Sequence, residues 1–565
     1  MNATQHELRF ALSNGWEAWL AKWFTPLCIA GIIINATGFF VTILDSDGTL
    51  YAMVAKTIVK RNDFVNLMVF GKDWLDKPHF PFWLIAISYK IFGINTFAYK
   101  LPAFLCWLMG AYYTYKFVFK AYNKSIAQLS VLLYLSAAHL VISNNDVRAE
   151  PYLTGFIIGS VYHFYIASLN RKFSLHIIWG ALLAAFAVMT KGPFVLITIS
   201  AGFIIHWIIK RDFKQLFNYK WIVAFILIAV FSLPEVYTLY AQFDLHPEKE
   251  VFGTTGVSGV RFFFWDSQFG RFLNNGPIKG KGDPFFYIHT MLWAFLPWSL
   301  IFYMALCRKI FKSGNLFPKQ EYIAVGGGVT MLLIFSLSKF QLPHYLNILF
   351  PFFCIITAQY LYQLQKPSWI RVIRVVQYII IGALLLLPIL LIYFYRTEHS
   401  ILAVIYMLAV IVVTFFVFKK NDLISITGKS FFAALGAYGF LNMFFYTSLI
   451  DYQSGSNAAK FSNAITGNSV TQAAVYGTFS HSFTFYTKKD VVYGNLAQLK
   501  AYAKQPLLIY TTREGLDEIR NSGFEIMDTH AFPYYHASKL TGKFINYKTR
   551  QSVVATHYLV TVIAR

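Results

Sequence analysis

The chain has 565 residues, of which 57% are hydrophobic and 13% are charged, and its mean hydropathy is +0.50. Because soluble domains average about 25% charged residues, this composition excludes a soluble globular protein and indicates a polytopic membrane protein. The formal net charge of +23 does not point to nucleic acid as a partner, since most Lys and Arg residues lie in short loops between apolar runs.

Runs of apolar residues long enough to cross a bilayer recur along the first 450 residues. They lie at about 23–43, 98–119, 125–143, 153–169, 174–190, 192–209, 221–241, 285–306, 322–338, 343–363, 374–394, 401–418 and 431–449. The sequence therefore predicts a polytopic α-helical membrane protein, with about thirteen transmembrane helices in a domain that covers residues 1–450. Three consecutive glycines, Gly326-Gly327-Gly328, lie inside one run and are expected to allow close helix packing.

The distribution of basic residues predicts the orientation of these helices. If the N-terminus is cytoplasmic, the inner loops carry most of the Lys and Arg residues and the short outer loops hold far fewer. This asymmetry is typical of multi-pass proteins of the cytoplasmic (inner) membrane. The same count leaves two long loops, 44–97 and 242–284, on the outer face.

The first long outer loop contains two segments that are expected to be helices lying in the membrane interface. Residues 48–62 place Leu50, Met53 and Ile58 at helical spacing. Residues 79–93 are apolar, but a run of about fifteen residues is short for a span and suits a helix at the interface. Counting 79–93 as a span would also invert every later loop and destroy the charge asymmetry.

The composition changes after about residue 450. Residues 451–565 are mixed polar and contain the β-rich runs AAVYGTF, DVVYG, PLLIYTT and HYLVTVIAR, with the helix-like segments LAQLKAYAK and GLDEIRNSG between them. This alternation is typical of a small α/β domain. With an odd number of spans, this C-terminal domain is expected to be extracytoplasmic, in the periplasm or its equivalent.

Ionisable residues cluster in the predicted outer loops, and such groups near membrane depth are candidate functional residues. Asp45 and Asp47 follow the first span, where a carboxylate can act as general base for an acceptor hydroxyl or bind a divalent cation. The alternative is a pair of solvated acids that marks the end of the helix. Lys77 and Arg271 are candidates for binding a lipid phosphate, and the alternative for each is attraction to anionic headgroups.

Other polar residues of the outer face have structural explanations as well. Asp146, Arg148 and Glu150 lie in one short loop, where they form either an internal ion pair or a site whose second carboxylate is Glu150. His344 is more typical of a satisfied interface residue than of a metal ligand. Lys191 is expected to belong to a structural Lys-Gly-Pro turn.

Several motifs, taken together, are similar to those of a known family. The chain carries, in order, DGTLYA at 47–52, DKP at 76–78, VRAE at 147–150, MTKGP at 189–193, FWDSQF at 264–269, AFLPW at 294–298, and SK with LPHY within 338–345. The chain resembles the GT-C membrane glycosyltransferases, in particular the bacterial aminoarabinose transferases and the protein O-mannosyltransferase-like enzymes. The resemblance covers about residues 40–350.

The resemblance implies an enzyme that transfers one sugar from a polyprenyl phosphate to an acceptor hydroxyl, with inversion, at the outer face of the membrane. The acceptor is lipid A, another glycolipid or glycan, or a protein. Asp47 takes the position of the family's catalytic carboxylate, and Glu150 takes that of a second acid, which is usually Asp. Gly48 stands where an acid commonly follows the catalytic Asp, so either Asp45 performs that task or the task is absent.

The resemblance also implies residues that bind the donor. Lys77 matches the cation that holds the donor phosphate. Further phosphate contacts are expected from Arg271, Tyr345 and Lys339. Asp76 and Asp266 fall near the positions of a metal site in some members of the family, so a divalent metal ion is the one cofactor that the sequence suggests.

Two other functions are compatible with a polytopic membrane protein. A transporter or flippase of a lipid-linked sugar is expected to have broken helices and charges near the bilayer midplane, whereas this chain keeps its charged residues at one face. A structural or assembly protein that binds partners through residues 451–565 would leave Asp47, Lys77 and Glu150 unexplained. The sequence therefore favours an enzyme, with a flippase as the alternative.

Overall fold

The computed structural model describes residues 3–44, 47–311, 321–465, 472–537 and 539–564, with the backbone alone for 3–14, 311 and 465. Asp45, one of the predicted catalytic carboxylates, lies outside the described residues. The α-helices up to residue 452 are Ala3–Ala36, Asp47–Arg61, Phe80–Phe92, Thr96–Ala121, Lys124–Leu135, Ala138–Asn145, Glu150–Ser168, Leu175–Lys191, Val195–Ile209, Phe213–Leu216, Tyr219–Phe231, Leu233–Leu239, Gly259–Arg261, Arg271–Leu273, Phe286–Ala294, Ser299–Phe311, Ile323–Leu337, Phe350–Gln363, Pro367–Tyr395, Ser400–Val417, Leu423–Phe440 and Tyr446–Leu449.

Tighter and wider helical turns extend several of these helices. The 3-10 turns are Thr37–Phe40, Pro343–Leu349 and Ile450–Tyr452, and the π-helical turns are Tyr240–Asp244, Phe262–Gly270 and Leu441–Phe445. An antiparallel ribbon in the first long loop pairs Met68–Val69 with Lys72–Asp73. Because π-helical turns are frequent at functional sites, the turn at Phe262–Gly270 makes the second long loop a candidate part of the site.

Every apolar run predicted as a span is helical over most of its length. Among the described helices, however, six are long and apolar enough to cross a bilayer, or seven if Lys124–Leu135 and Ala138–Asn145, bent by 52°, form one broken span. Several others are apolar but shorter, such as Val195–Ile209 and Ile323–Leu337. The architecture is that of a helical membrane protein, and the count of thirteen spans stays a prediction.

Small residues allow the helices to approach closely. A Cβ at Gly155 would lie 2.2 Å from the backbone oxygen of Cys106, so helix Glu150–Ser168 meets helix Thr96–Ala121 through a glycine. A Cβ at Gly326 would likewise lie 3.0 Å from the Cα of Gly202. Such contacts let van der Waals packing hold helices together where lipid removes the hydrophobic driving force. Gly326 thus has the packing role expected of the triple glycine.

The two segments expected as interfacial helices are both helical, as Asp47–Arg61 and Phe80–Phe92. His79 anchors the start of the second helix. Its backbone N–H and its Nδ1 each lie 3.0 Å from the buried carboxylate of Glu235, and its Nε2 lies 2.8 Å from the backbone oxygen of Val65. These contacts fix the segment 76–78, which immediately precedes His79.

Beyond residue 452 the chain forms a five-stranded mixed sheet with short helices. In sheet order the strands are Asp490–Val492, Gln472–Tyr476, Leu507–Thr511, Ala555–Ala564 and Phe524–Tyr534, the first three mutually parallel and the last two antiparallel to their neighbours. The helices are Ser454–Ile465, His481–Tyr486, Leu496–Tyr502, Arg513–Asn521 and Gly542–Ile545, with a 3-10 turn at Arg550–Ser552. Strand Phe524–Tyr534 was not expected, because its polar residues and Pro533 are unusual in a strand interior; it forms an edge.

Candidate active site

The first group of candidate residues surrounds Arg148. Asp47 is the first residue of helix Asp47–Arg61, and its side chain is 53% exposed. Arg148 Nη1 lies 2.7 Å from Asp47 Oδ2, and Arg148 Nη2 lies 3.0 Å from Asp146 Oδ2. Burial alone would lower the pKa of Arg148, but the carboxylates of Asp146 and Asp47 outweigh burial and raise it. Arg148 is therefore a permanent cation that holds Asp47 at the edge of the site.

A second, buried group lies beside Arg148. Glu150 begins helix Glu150–Ser168, and its Oε1 contacts Nζ of Lys191, the last residue of helix Leu175–Lys191. Each charge lies at the helix end that the macrodipole favours. His344 stands between the two groups, with Nδ1 3.4 Å from Arg148 Nη1 and Nε2 3.8 Å from Glu150 Oε1. Side-chain contacts thus connect Asp47 to Lys191 through four segments of the chain.

The third group contains the cations expected to bind phosphate. Lys77 Nζ lies 2.7 Å from Asp76 Oδ2, and Arg271 Nη2 contacts Asp76 Oδ1. Burial would raise the pKa of Asp76, but Lys77 and Arg271 outweigh burial and lower it, so the carboxylate stays ionised and orients both cations. Lys191 lies within the electrostatic reach of the same two cations, and its Nζ is 3.8 Å from the centroid of the Tyr345 ring.

The third group lines a cavity of about 570 Å³. Its polar lining includes Asp76, Lys77, Lys191, Arg271 and Tyr345. Most of the remaining wall is apolar, with Phe194, Ile197, Leu239, Phe262, Phe263, Phe272, Met331, Ile334 and Phe335. Asp47 and Glu150 do not line this cavity; Glu150 is connected to it through Lys191, and Asp47 is connected to Glu150 through Arg148 and His344.

Gly192 determines how Lys191 enters the cavity wall. Its φ of +108° is a backbone conformation that glycine adopts without strain. A Cβ at this position would lie 2.2 Å from Nε2 of Gln268, and the same Nε2 donates a hydrogen bond to the backbone oxygen of Lys191 at 3.3 Å. The Lys-Gly-Pro turn therefore packs directly against the π-helical turn Phe262–Gly270.

Tyr51 is a common neighbour of the three groups. It lies one helical turn after Asp47 and is 5% exposed. Burial and the nearby carboxylates of Asp76, Asp47 and Glu150 raise the pKa of its hydroxyl. Tyr51 therefore lies in the region of the molecule where these three carboxylates are found. Sequence reasoning missed Tyr51, although it stands inside the DGTLYA motif.

The structure brings together most of the predicted site residues. Asp47 and Glu150 belong to one network, and the cavity wall contains Lys77, Arg271 and Tyr345. Lys339 is exposed and is not among the residues that line the cavity, although its neighbours Ser338 and Phe340 are, so its contact with the phosphate stays a prediction.

Sequence reasoning did not identify Lys191 and His344 as residues that connect the groups of the site. The sequence predicts a structural turn for Lys191 and a satisfied interface residue for His344. The turn is present, but the Lys191 ammonium also pairs with Glu150 and lines the cavity. The available signal was the rarity of basic residues at the outer ends of the spans, which makes each of them a candidate.

The carboxylates expected to bind a metal ion face basic side chains in this structure. Both oxygens of Asp76 are engaged by Lys77 and Arg271, and Asp266 Oδ2 lies 3.8 Å from Arg261 Nε. Across the part of the chain that the structure describes, no three His, Cys, Asp or Glu side chains are grouped closely enough to hold a metal ion. The metal ion therefore stays an untested prediction, and no chemical step proposed here depends on it.

Three comparisons with known proteins agree with one another. The family model of the dolichyl-phosphate-mannose-protein mannosyltransferases matches residues 76–237. An uncharacterised protein of Aquifex aeolicus (strain VF5) is 26% identical over 458 residues, which cover 79% of this chain and 82% of that protein. An undecaprenyl phosphate-alpha-4-amino-4-deoxy-L-arabinose arabinosyl transferase of Pseudomonas fluorescens (strain Pf0-1) is 25% identical over 355 residues, which cover 61% of this chain and 58% of the relative. The chain thus matches less than two thirds of that relative's length.

The fold is similar to that of ArnT from Cupriavidus metallidurans, solved with bound undecaprenyl phosphate. The TM-score is 0.71 at 15% sequence identity, and the match covers 95% of this chain and 98% of that one. A likeness at this identity concerns the fold, whereas the family model and the sequence relatives concern the motifs. Taken together, they show that the chain is similar to the GT-C membrane glycosyltransferases, in particular to the aminoarabinose transferases and the protein O-mannosyltransferase-like enzymes.

Proposed function

We propose that this glycosyltransferase moves a single sugar from a polyprenyl-phosphate donor to an acceptor hydroxyl, with inversion at the anomeric carbon. The observation that carries the proposal is the grouping of Lys77, Arg271 and Lys191 in the wall of an otherwise mostly apolar cavity of about 570 Å³. A phosphate requires cations and a polyprenyl tail requires apolar walls, and the two adjoin here. The undecaprenyl phosphate named for the relatives supports a donor of this class.

In the proposed complex the donor phosphate lies against Lys77, Arg271 and Lys191. Asp76 occupies some N–H groups of Lys77 and Arg271, but an ammonium has three and a guanidinium five, so donors remain for a ligand. The cations are held in place before the sugar leaves. They therefore stabilise the charge that builds on the departing phosphate without reorganising, which is usually the largest contribution to catalysis.

Asp47 is proposed to activate the acceptor. Its side chain is 53% exposed, so an acceptor hydroxyl can reach it, and Arg148 fixes its orientation. As the acceptor oxygen bonds to the anomeric carbon, the bond from that carbon to the phosphate oxygen breaks and its electron pair leaves with the lipid phosphate. The acceptor proton passes to Asp47, and the single displacement inverts the centre. Asp45 stays a proposal for the second acid of this segment.

Glu150 is proposed to act through Lys191 rather than on the sugar directly. It is buried, it contacts Lys191, and it does not line the cavity. An ion pair of this kind holds the ammonium in one place, so that the phosphate meets a fixed charge. This proposal makes Glu150 a positioning residue for the donor, in place of the second catalytic acid that the resemblance implies.

The membrane arrangement is also part of the proposal. The protein is proposed to be a multi-pass protein of the inner membrane with thirteen spans, a cytoplasmic N-terminus and an extracytoplasmic C-terminal domain over residues 451–565. The asymmetry of basic residues supports this orientation, and the helical structure of every predicted span supports the count. The active site then faces outward, where the acceptor is a lipid such as lipid A, another glycan or a protein.

A transfer assay tests the proposal. Purified protein in lipid vesicles would receive a labelled polyprenyl-phosphate sugar and an extract of outer-envelope lipids, glycans and proteins. Label appearing on a new lipid, glycan or protein supports the transferase. Label that only crosses the vesicle wall would instead support the flippase alternative, for which the reported matches give no support.

A matched pair of variants separates the donor site from general charge effects. Lys77→Ala is expected to raise the donor KM at least tenfold, roughly the value of one charged phosphate contact. Lys72→Ala removes an equal charge from an exposed position in the same loop that does not line the cavity, and it is expected to leave KM unchanged. Equal effects of the two substitutions would contradict the assignment of the cavity to the donor.

A further inference from the structure

The helix that begins at Asp47 is held further along by the C-terminal sheet region. Lys56 lies on this helix, is 7% exposed, and uses its ammonium to donate three hydrogen bonds to backbone oxygens. The acceptors are the carbonyl oxygens of Thr484 at 2.7 Å, Phe485 at 2.8 Å and Thr487 at 2.7 Å. They lie at the end of helix His481–Tyr486, where carbonyl groups lack helical partners and carry the negative end of the helix dipole.

This contact uses every donor of the Lys56 ammonium and gives each of the three carbonyls a partner. An ammonium has three N–H donors, and Lys56 uses one on each of the three carbonyls. The remaining carbonyl of this helix end, that of Tyr486, accepts a hydrogen bond from Asn463 Nδ2 at 2.9 Å. Hydrogen bonds from a charged donor are about twice as strong as neutral ones, and removing the donor would leave buried carbonyls unpaired.

A second contact reaches the chain on the other side of Asp47. The hydroxyl of Tyr486 accepts a hydrogen bond from the backbone N–H of Ile43 at 2.8 Å and lies 2.9 Å from Thr96 Oγ1. Ile43 stands shortly before Asp47, and Lys56 stands shortly after it. The same short helix of the C-terminal region therefore contacts both flanks of the segment that carries Asp47.

We propose that the C-terminal region, residues 453–564, is a positioning element of the active site, and that Lys56 and Tyr486 are the residues through which it holds Asp47. The proposal rests on the proposed function, because it takes Asp47 as the carboxylate that accepts the proton of the acceptor. Neither Lys56 nor Tyr486 lines the donor cavity. Their loss is therefore expected to impair the chemical step and to spare donor binding.

Lys56→Met and Lys60→Met form a matched pair on one helix. Lys60 also contacts the C-terminal region, through Asp490 at 2.7 Å, but both side chains of that pair are exposed, and such pairs contribute little. Lys56→Met is expected to lower kcat at least about tenfold with little change in donor KM, and to speed amide hydrogen exchange over residues 47–55 by a similar factor. Lys60→Met is expected to behave as the wild type in both measurements.

Tyr486→Phe tests the positioning role of the C-terminal region if Lys56→Met does not fold. It removes one hydroxyl, keeps the ring, and is expected to reduce kcat several-fold with faster exchange around Ile43. The proposal would be overturned if either variant folded, kept full kcat and exchanged the amide hydrogens of residues 47–55 at the rate of Lys60→Met. Wild-type protein that transfers no sugar, yet shows the expected exchange pattern across the variants, would reject the proposed function and leave the positioning contact standing.

Discussion

Glu150 and Lys191 form a buried ion pair between the first residue of one helix and the last residue of another, with 2% and 15% of their side chains exposed. The pair stands between two parts of the site. On one side His344 connects Glu150 to Arg148, and on the other side Lys191 lines the cavity. A disturbance of either charge is therefore expected to reach both the acceptor side and the donor side.

Glu150→Gln leaves Lys191 buried without its counter-ion. We expect the free energy of unfolding to fall by about 3–5 kcal/mol, the usual cost of removing one partner of a buried pair, and transfer activity to fall with it. Thermal unfolding in detergent measures the loss of stability. Glu248→Gln is the control, because Glu248 pairs with His246 at the exposed surface. Equal midpoints for the two variants would show that the Glu150–Lys191 pair does not stabilise the fold.

Asp47→Asn removes the proposed proton acceptor while keeping the shape of the side chain. We expect kcat to fall at least about a hundredfold, the typical contribution of a general base, with normal membrane insertion and little change in donor KM. Asp283→Asn is the matched control, since both side chains are 53% exposed and both belong to the long loops predicted on the outer face. Transfer at the normal rate by Asp47→Asn would end the assignment of Asp47.

Asp76 is expected to make stability depend on acid pH. Lys77 and Arg271 outweigh burial and lower its pKa in the folded protein. Its ionised form therefore stabilises the fold above the unfolded value of about 4, and this contribution is lost as the pH falls through the lower, folded pKa. The measurement is the thermal midpoint from about pH 7 to about pH 3, where we expect a flatter acid limb for Asp76→Asn than for the wild type. Parallel curves would contradict the role of the carboxylate.

Gly192→Ala tests the turn that delivers Lys191. The φ of +108° is strained for alanine, and the new Cβ would lie 2.2 Å from Gln268 Nε2. We expect a loss of about 1–3 kcal/mol in stability, the usual cost of such backbone strain, and a higher donor KM. Thermal unfolding and donor titration measure the two effects. Gly382→Ala is the control, because Gly382 lies inside a helix and a Cβ there would have no atom within 4 Å. It is expected to be neutral or slightly stabilising. An equal loss of stability in Gly382→Ala would point to a general intolerance of alanine.

Local features of this protein were predictable because they depend on near neighbours. Helical spacing of apolar residues predicted Asp47–Arg61, and the length of an apolar run predicted Phe80–Phe92, each within a residue or two. Runs rich in β-forming residues predicted four strands of the C-terminal sheet. The family resemblance brought Asp47, Lys77, Glu150 and Arg271 forward as site residues, and the described geometry places them in connected networks.

Contacts between distant segments could not be predicted in the same way. Glu150 meets Lys191 across 41 residues and His344 across 194, and these meetings depend on how whole helices pack. Strand Phe524–Tyr534 was missed because pairing with strand Ala555–Ala564, rather than its own composition, makes it a strand. The contribution of Lys339 stays a prediction, because a motif gives a position along the chain but not the direction of the side chain.

The hydrogen bonds of Lys56 also bear on how the protein is made. They join the first outer loop to carbonyls more than 420 residues further along the chain. During translation the segment around Asp47 is synthesised early. The carbonyls that accept hydrogen bonds from the Lys56 ammonium are synthesised more than 420 residues later. If Asp47 acts as proposed, the segment that carries it becomes fully ordered only after residues 484–487 have been synthesised and have met Lys56.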